Sequence, residues 1–414
     1  MPFDVFDSKN MILANLKSSI DKEILKDIPR LETAENIRYV KVNQKPVRNI
    51  PEKKVEYKPK QEKELRLIEG HKAYFGVGRE QNYGEALDIY KTSAKDNMIE
   101  AFNCLGKMHL EGKGTKLDIK SAMEYYTTSA KRNDAEGYYQ LGKMYMDGKI
   151  GKNMEKNERE KKSIEFFNKA AKYSHSEALY ELGYISEKGI AKGRSLQEAE
   201  LFYKESAELK NPKAMNNLAC LYLAKNEDKQ DFIEGESGRV IYELLESSRD
   251  LGYTPAITNL AKCYLKGIFV EKDLTVAKKL FKEAADKGDP EAKFSLAFFK
   301  LKDASIREDP EKYCQAADEL RKVLCLDPEF YEAHYYLGYL HENGFGVDKD
   351  LTSAFRHYNK AASKPSEENS KALYKLGTMH MSGNAPNGQN IQKAIECLEK
   401  SSNLGDLDAE NALG

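Results

Sequence analysis

The sequence predicts an all-α protein, a solenoid of about nine helix-turn-helix repeats with an N-terminal helix and an extended arm in front. Three recurring positions predict it. A small residue returns at Gly70, Gly106, Gly142, Gly183, Ala219, Ala261, Ala297, Gly338, Gly377 and Gly414, with neighbours 36 to 42 residues apart. Leucine stands just before it at Leu105, Leu141, Leu182, Leu218, Leu260, Leu296, Leu337, Leu376 and Leu413. Glycine follows six residues later at Gly76, Gly112, Gly148, Gly189, Gly267, Gly344 and Gly383. A period of this size marks an array of two-helix units, each burying its apolar face against its neighbours. The chain divides into residues 1–60, a helix and arm, and 61–414, the solenoid.

Residues 8–28 place Ile12 or Leu13, Leu16, Ile20, Ile24 and Ile28 three or four apart, the stripe of one amphipathic helix that ends before Pro29. Such a helix is marginal alone in water, so it docks on its own solenoid or on a partner. Residues 38–60 carry Arg38, Lys41, Lys45, Arg48, Lys53, Lys54, Lys58 and Lys60 against only Glu52 and Glu56. Pro46, Pro51 and Pro59 forbid a regular helix there. Two readings stand: a solvated linker, or a basic arm lying on an acidic surface.

Within a repeat the second unit shows the logic. Ala101, Leu105, Gly106 and Met108 share one helical face, and Gly112 and Gly114 end that helix because glycine accepts the positive φ of a cap. Ala122, Tyr125, Tyr126, Ser129 and Ala130 mark the second helix. Second helices are predicted to open on Ala86, Ala122, Ser163, Ala199, Val240, Ala277, Ala317, Ala354 and Ala394. Several carry a small pair seven residues on, as at Ala284-Ala285. Replacing a buried leucine of the frame by alanine is expected to cost about 2–5 kcal/mol.

The motif Ala-x-x-x-Leu-Gly-x-Met-Tyr-x-x-Gly, seen at Gly137–Gly148 with Gly137 in the alanine place, resembles the Sel-one-like repeat. The units at Ala178–Gly189 and Ala333–Gly344 resemble it too, and the likeness covers about residues 61–414. It implies a relative of the tetratricopeptide repeat, stacked into a right-handed superhelix, that serves as an adaptor or scaffold without catalysis. The first units, Gly70 to Gly151, resemble the megalin-binding-protein-type members. By the same resemblance, residues three before and one after the anchor face an inner groove. Here they are Tyr139/Lys143, Tyr180/Tyr184, Asn216/Cys220, Thr258/Lys262, Phe294/Phe298, Tyr335/Tyr339 and Tyr374/Thr378. Three pairs are aromatic, one turn apart on one face. Either they form a peptide-binding groove, since exposed rings give contact area at low entropy cost, or they pack against the neighbouring first helix.

The repeat also has departures. The fifth and seventh units have Lys225 and Asp303 at the cap position and carry polar inserts over 226–237 and 304–311, and the third has a charged insert over 153–162. These are expected to be loops on one edge, by drift or to touch a partner. The last unit stops at Leu413-Gly414 without a polar capping helix, so either the chain continues or something covers that end.

Composition excludes several classes. Lys+Arg number 66 against 67 Asp+Glu, so no global field favours nucleic acid or a membrane surface. No run approaches the roughly 18 apolar residues of a spanning helix. The opening Met1-Pro2-Phe3-Asp4-Val5-Phe6-Asp7 is unlike a secretory signal. Cys104, Cys220, Cys263, Cys314, Cys325 and Cys397 never fall as CxxC, which reads as a reduced intracellular protein. There is no GxxxxGK[ST], no HExxH and no GxSxG. The seven histidines never form an i, i+4 pair; His334 and His341, two turns apart, read as a satisfied or exposed pair.

The expectation is therefore a non-catalytic, cytoplasmic adaptor that needs no cofactor and bridges other proteins in a large assembly, of which a cytoskeletal or ciliary complex is the specific candidate. A reversible receptor for a peptide motif is the alternative. An enzyme subunit would need a catalytic domain beyond Gly414.

Overall fold

The computed structural model describes residues 59–225, 236–363 and 369–413. The helix expected over 8–28 lies outside them, as do Lys41, Lys45, Arg48, Lys53, Lys54 and Lys58 of the basic arm. Lys60 does not belong to an extended segment: it sits in the first turn of α1 (Pro59–Phe75), where Pro59 supplies a fixed helical φ and has no N–H to leave unpaired.

The described residues hold helices and no strand, and they group into two units, the first closing at Tyr173 and the second opening at Ser174. The first contains α1, α2 (Tyr83–Lys95), α3 (Ile99–Glu111), α4 (Ile119–Ala130), α5 (Ala135–Met146) and α6 (Lys156–Ala171). The second contains α7 (Ser176–Lys188), α8 (Leu196–Glu208), α9 (Pro212–Lys225), α10 (Glu236–Asp250), α11 (Thr254–Lys266) and α12 (Leu274–Asp286). It continues with α13 (Pro290–Arg307), α14 (Pro310–Leu326), α15 (Tyr331–Asn343), α16 (Leu351–Ala361), α17 (Ser370–Ser382), α18 (Ile391–Asn403) and α19 (Leu407–Leu413). Within each unit odd and even helices pair as hairpins, and each second helix packs on the next first helix. This is an α-α repeat stack.

Local chemistry sets the ends. Asp118, Asp273, Asp309 and Asp350 each accept two backbone N–H groups at the start of a second helix. Gly112 (φ 66°) and Gly344 (φ 74°) close first helices in the left-handed region that L-residues avoid. The frame leucines Leu105, Leu182, Leu260 and Leu337 are buried, as are Ala86, Ala122, Ser163, Ala199, Ala277, Ala317, Ala354 and Ala394. Between the two helices of a hairpin, the anchor glycine lies under a ring of the second helix: Gly70 under Tyr90, Gly106 under Tyr126, Gly142 under Phe167, Gly183 under Tyr203, Gly338 under Tyr358. Buried serines add a fixed bond, as where Ser206 and Ser248 donate 2.7 Å bonds to the carbonyls of Ser176 and Pro212 at the foot of the partner helix.

Three expectations change. Val240 is exposed, and Ile241 takes the buried opening position of the fifth unit, followed by buried Leu245 and Ser248 at the usual spacing of four and seven. The insert of the seventh unit is not a loop. With no glycine at Asp303 to turn the chain, α13 runs on to Arg307 and stops where Glu308 adopts φ 49°. The charged insert of the third unit is likewise mostly helical, because α6 already starts at Lys156.

Candidate protein-interaction surface

The expected inner positions divide by burial. Tyr139 is 7% exposed and packs 5.8 Å from Phe167, so this ring belongs to the hairpin core and offers nothing to a ligand. The other leading rings lean the same way: Tyr180 on Tyr203 at 6.0 Å, Tyr335 on Tyr358 at 5.7 Å. Both rest on the second helix of their own hairpin, and Tyr180 also meets the next first helix, where Lys213 of α9 stands 5.9 Å from its ring centre. Burial pushes the hydroxyl of Tyr180 well above its ordinary value and that of Tyr335 up to about 12, so both stay protonated donors.

The trailing positions are more open. Tyr184 is 38% exposed, with Lys188 5.7 Å from the ring centre. Tyr339 is half-buried, 6.0 Å from Phe345, and Lys143 is half-buried. Phe294 and Phe298 form the centre of a larger cluster that sequence spacing did not show. Phe294 stacks on Phe298 at 6.1 Å and meets Phe330 at 5.1 Å and Tyr336 at 5.9 Å, while Phe298 meets Tyr336 at 5.3 Å. Lys302 sits 4.7 Å over Phe298, a cation held against a partly open ring face. Phe330 precedes α15 and Tyr336 is one residue off the frame, so a one-position rule passes over both.

Between the rings the same side of α7, α9 and α11 is polar and connected. Asn259 donates to Asn216 at 2.8 Å, Asn216 to Asn217 at 3.3 Å, Asn217 to the Tyr203 hydroxyl at 3.2 Å, and that hydroxyl to Glu187 at 2.8 Å. Further along, Lys262 pairs with Glu291, and the Tyr358 hydroxyl donates at 2.6 Å to Glu342, which also binds Lys375 at 3.0 Å. These bonds tie successive hairpins together and keep the intervening rings in place.

The histidines make a linked group rather than a metal site. His334 Nε2 donates to the Pro328 carbonyl at 3.1 Å, so its Nδ1 accepts from His357 Nδ1 at 2.9 Å. His341 donates from Nδ1 to the Asp348 carbonyl at 3.2 Å and stacks on His357 at 5.8 Å. Among the described residues no three His, Cys, Asp or Glu side chains could hold a metal ion together. No described helix is long and apolar enough to cross a membrane.

A stack of helical hairpins with small anchors under second-helix rings defines a helical-repeat scaffold. The model of the Sel1 repeat matches residues 73–98, 105–134, 135–172, 176–211, 254–289, 332–366 and 370–406, more than half of the chain, which therefore belongs to the Sel1 repeat family. The unmatched stretches 212–253 and 290–331 are the fifth and seventh hairpins, the two that lack the cap glycine. Over 258 residues the chain is 26% identical to the chitin synthase regulator SKT5 of Saccharomyces cerevisiae; the match covers 52% of this chain and 36% of that protein. The chain thus spans about a third of the length of this curated relative. Among solved structures it resembles a Sel1 repeat protein of Oxalobacter formigenes (24% identity, 72% of this chain and 99% of that one, TM-score 0.46). It also resembles c5321, a protective antigen of uropathogenic Escherichia coli with an SLR fold (21%, 85% and 79%, TM-score 0.39). As a Sel1 repeat protein the chain is a protein-interaction scaffold.

Proposed function

We propose that the chain is a non-catalytic adaptor that bridges other proteins in a multi-subunit assembly, with the open rings on the first helices of the second unit as one contact. The observation that carries this is the cluster of Phe294, Phe298, Phe330 and Tyr336, held half-exposed by two hairpins with Lys302 beside it. Rings fixed in this way bind with little loss of side-chain freedom. The likeness to a chitin synthase regulator supports a stack that holds a protein whose activity it controls. The basic segment 38–58 supplies a second contact, to an acidic surface, and the cytoskeletal or ciliary setting rests on that arm and on the resemblance of the first units.

The test is affinity purification from the native source with cross-linking mass spectrometry. It compares the full chain, a form lacking residues 1–58, and a Phe298→Ala/Tyr336→Ala variant. Loss of a defined protein set by the double variant supports the ring contact, and loss by the truncation supports the arm. A reversible peptide receptor, which Tyr184 and Tyr339 would also suit, predicts loss with Tyr184→Ala/Tyr339→Ala and a small number of short-lived partners. An unchanged set in all variants overturns both contacts.

A further inference from the structure

The first unit carries a cleft of about 190 Å3 between α4, α5 and α6 that no feature described so far uses. Met123, Thr127, Tyr138, Leu141, Tyr145 and Phe166 line it together with the exposed Lys131. An apolar cavity of ~150 Å3 is already large enough to hold a benzene ring. The cleft follows from the doublet Phe166-Phe167. Phe167 fills the space under Gly142, so Phe166 is left on the outer side of α6, where it stacks on Tyr145 at 5.6 Å and 12°. On the other side Tyr138 stacks on Tyr173 at 6.3 Å and 8°, and Tyr173 is half-exposed. Of these two parallel ring pairs, Tyr138, Tyr145 and Phe166 line the cleft.

Charge tells what fits it. Lys162 stands 5.7 Å from the Tyr145 ring centre and Lys169 5.2 Å from that of Phe166, while Lys131 lies on the rim. None of the three has an ion-pair partner among the described residues. Three unpaired cations around an apolar slot complement carboxylates that flank a large apolar side chain. We propose that this cleft docks an acidic segment of a partner protein, which inserts one phenylalanine between the ring pairs while its carboxylates meet Lys131, Lys162 and Lys169. The proposal deepens the adaptor reading, on which it rests only for the ligand being a protein, and gives the scaffold a contact separate from the Phe294 cluster.

The experiment titrates the full chain with a labelled peptide carrying one phenylalanine between two runs of glutamate, read by fluorescence anisotropy. Saturable binding is expected. It should weaken about tenfold or more when the peptide's phenylalanine becomes alanine, as for a buried aromatic anchor. Thr127→Trp, which fills the slot, and Lys162→Glu/Lys169→Glu should each weaken it as much. Met123→Trp serves in place of Thr127→Trp if the melting temperature shows that the latter does not fold. Phe298→Ala/Tyr336→Ala should bind as the parent does. Absence of saturable binding overturns the proposal. Equal affinity for the alanine peptide, or for the filled slot, also overturns it by showing charge attraction alone, and indifference to the lysine reversals overturns the acidic ligand. The adaptor reading fails separately, if cross-linking recovers no partner.

Discussion

The ring of Tyr203 lies across the backbone of Gly183 so closely that a β-carbon there would come within 2.6 Å of Cδ1. Glycine at the anchor is thus a condition for tyrosine on the second helix. No anchor alanine faces a tyrosine: Ala297 shares its core with Leu320, Ala219 with Leu245 and Ala261 with Phe281, while Gly377 lies under Leu398. Gly183→Ala should therefore destabilise by about 1–3 kcal/mol through overpacking. Adding Tyr203→Leu should cost less in that background than in the parent, with a coupling above ~0.5 kcal/mol. Denaturant unfolding of the four proteins measures it, and strictly additive effects would sink the explanation.

Buried serines of equivalent position should respond with opposite signs. Ser206 is buried and donates to the Ser176 carbonyl, so Ser206→Ala removes that bond and should cost about 1 kcal/mol. Ser93 is equally buried, but its hydroxyl has no partner. Ser93→Ala should be neutral or stabilising, by up to about 1 kcal/mol. Thermal unfolding of the two variants side by side decides, and a comparable loss in both would show that Ser93 is bonded in solution.

The hairpin frame was legible because each repeat restates it. Leu182, Gly183, Gly189 and Ala199 sit at positions that recur along the chain, and the buried face follows from that spacing. Register faded where the repeat is stretched: near the fifth insert the pattern cannot tell Val240 from Ile241, and stacking decides for Ile241. The continuation of α13 to Arg307 was hidden because a polar stretch without proline or glycine suits a helix as well as a loop. The Asn259–Asn216–Asn217 chain and the slot beside Phe166 depend on which neighbours stacking brings together, and a single repeat holds no information on that.

Glu308 closes α13 with φ 49°, a region costly for a residue with a β-carbon, and its side chain is exposed. Glu308→Gly should relieve that strain and raise stability by about 0.5–1 kcal/mol after the added freedom of the unfolded chain is subtracted. The paired control is Asp309→Ala, which removes the cap of α14 and should lower stability by about 1 kcal/mol. Calorimetry of both variants checks the contrast. A loss for Glu308→Gly would mean that the helix ends elsewhere in solution.

The linked histidines predict the pH dependence of the second unit. Burial, with His334, His341, Lys360 and Arg356 around it, holds His357 at a pKa of about 4, and burial also lowers His334. An unfolded histidine titrates near 6.5, so between about pH 4 and 6.5 the unfolded chain binds more protons than the folded one. The stabilising effect of the neutral group is complete above about pH 6.5 and falls away as the pH drops toward 4. Protonation of His334 acts in the same direction, because its Nδ1 would then present a proton to the proton of His357. The melting temperature of the parent should drop on going from pH 7 to pH 5, and His357→Gln, whose amide can still donate to His334, should flatten that drop. Parallel profiles for the two proteins would show that His357 titrates as it does in the unfolded chain and that the acid sensitivity arises elsewhere.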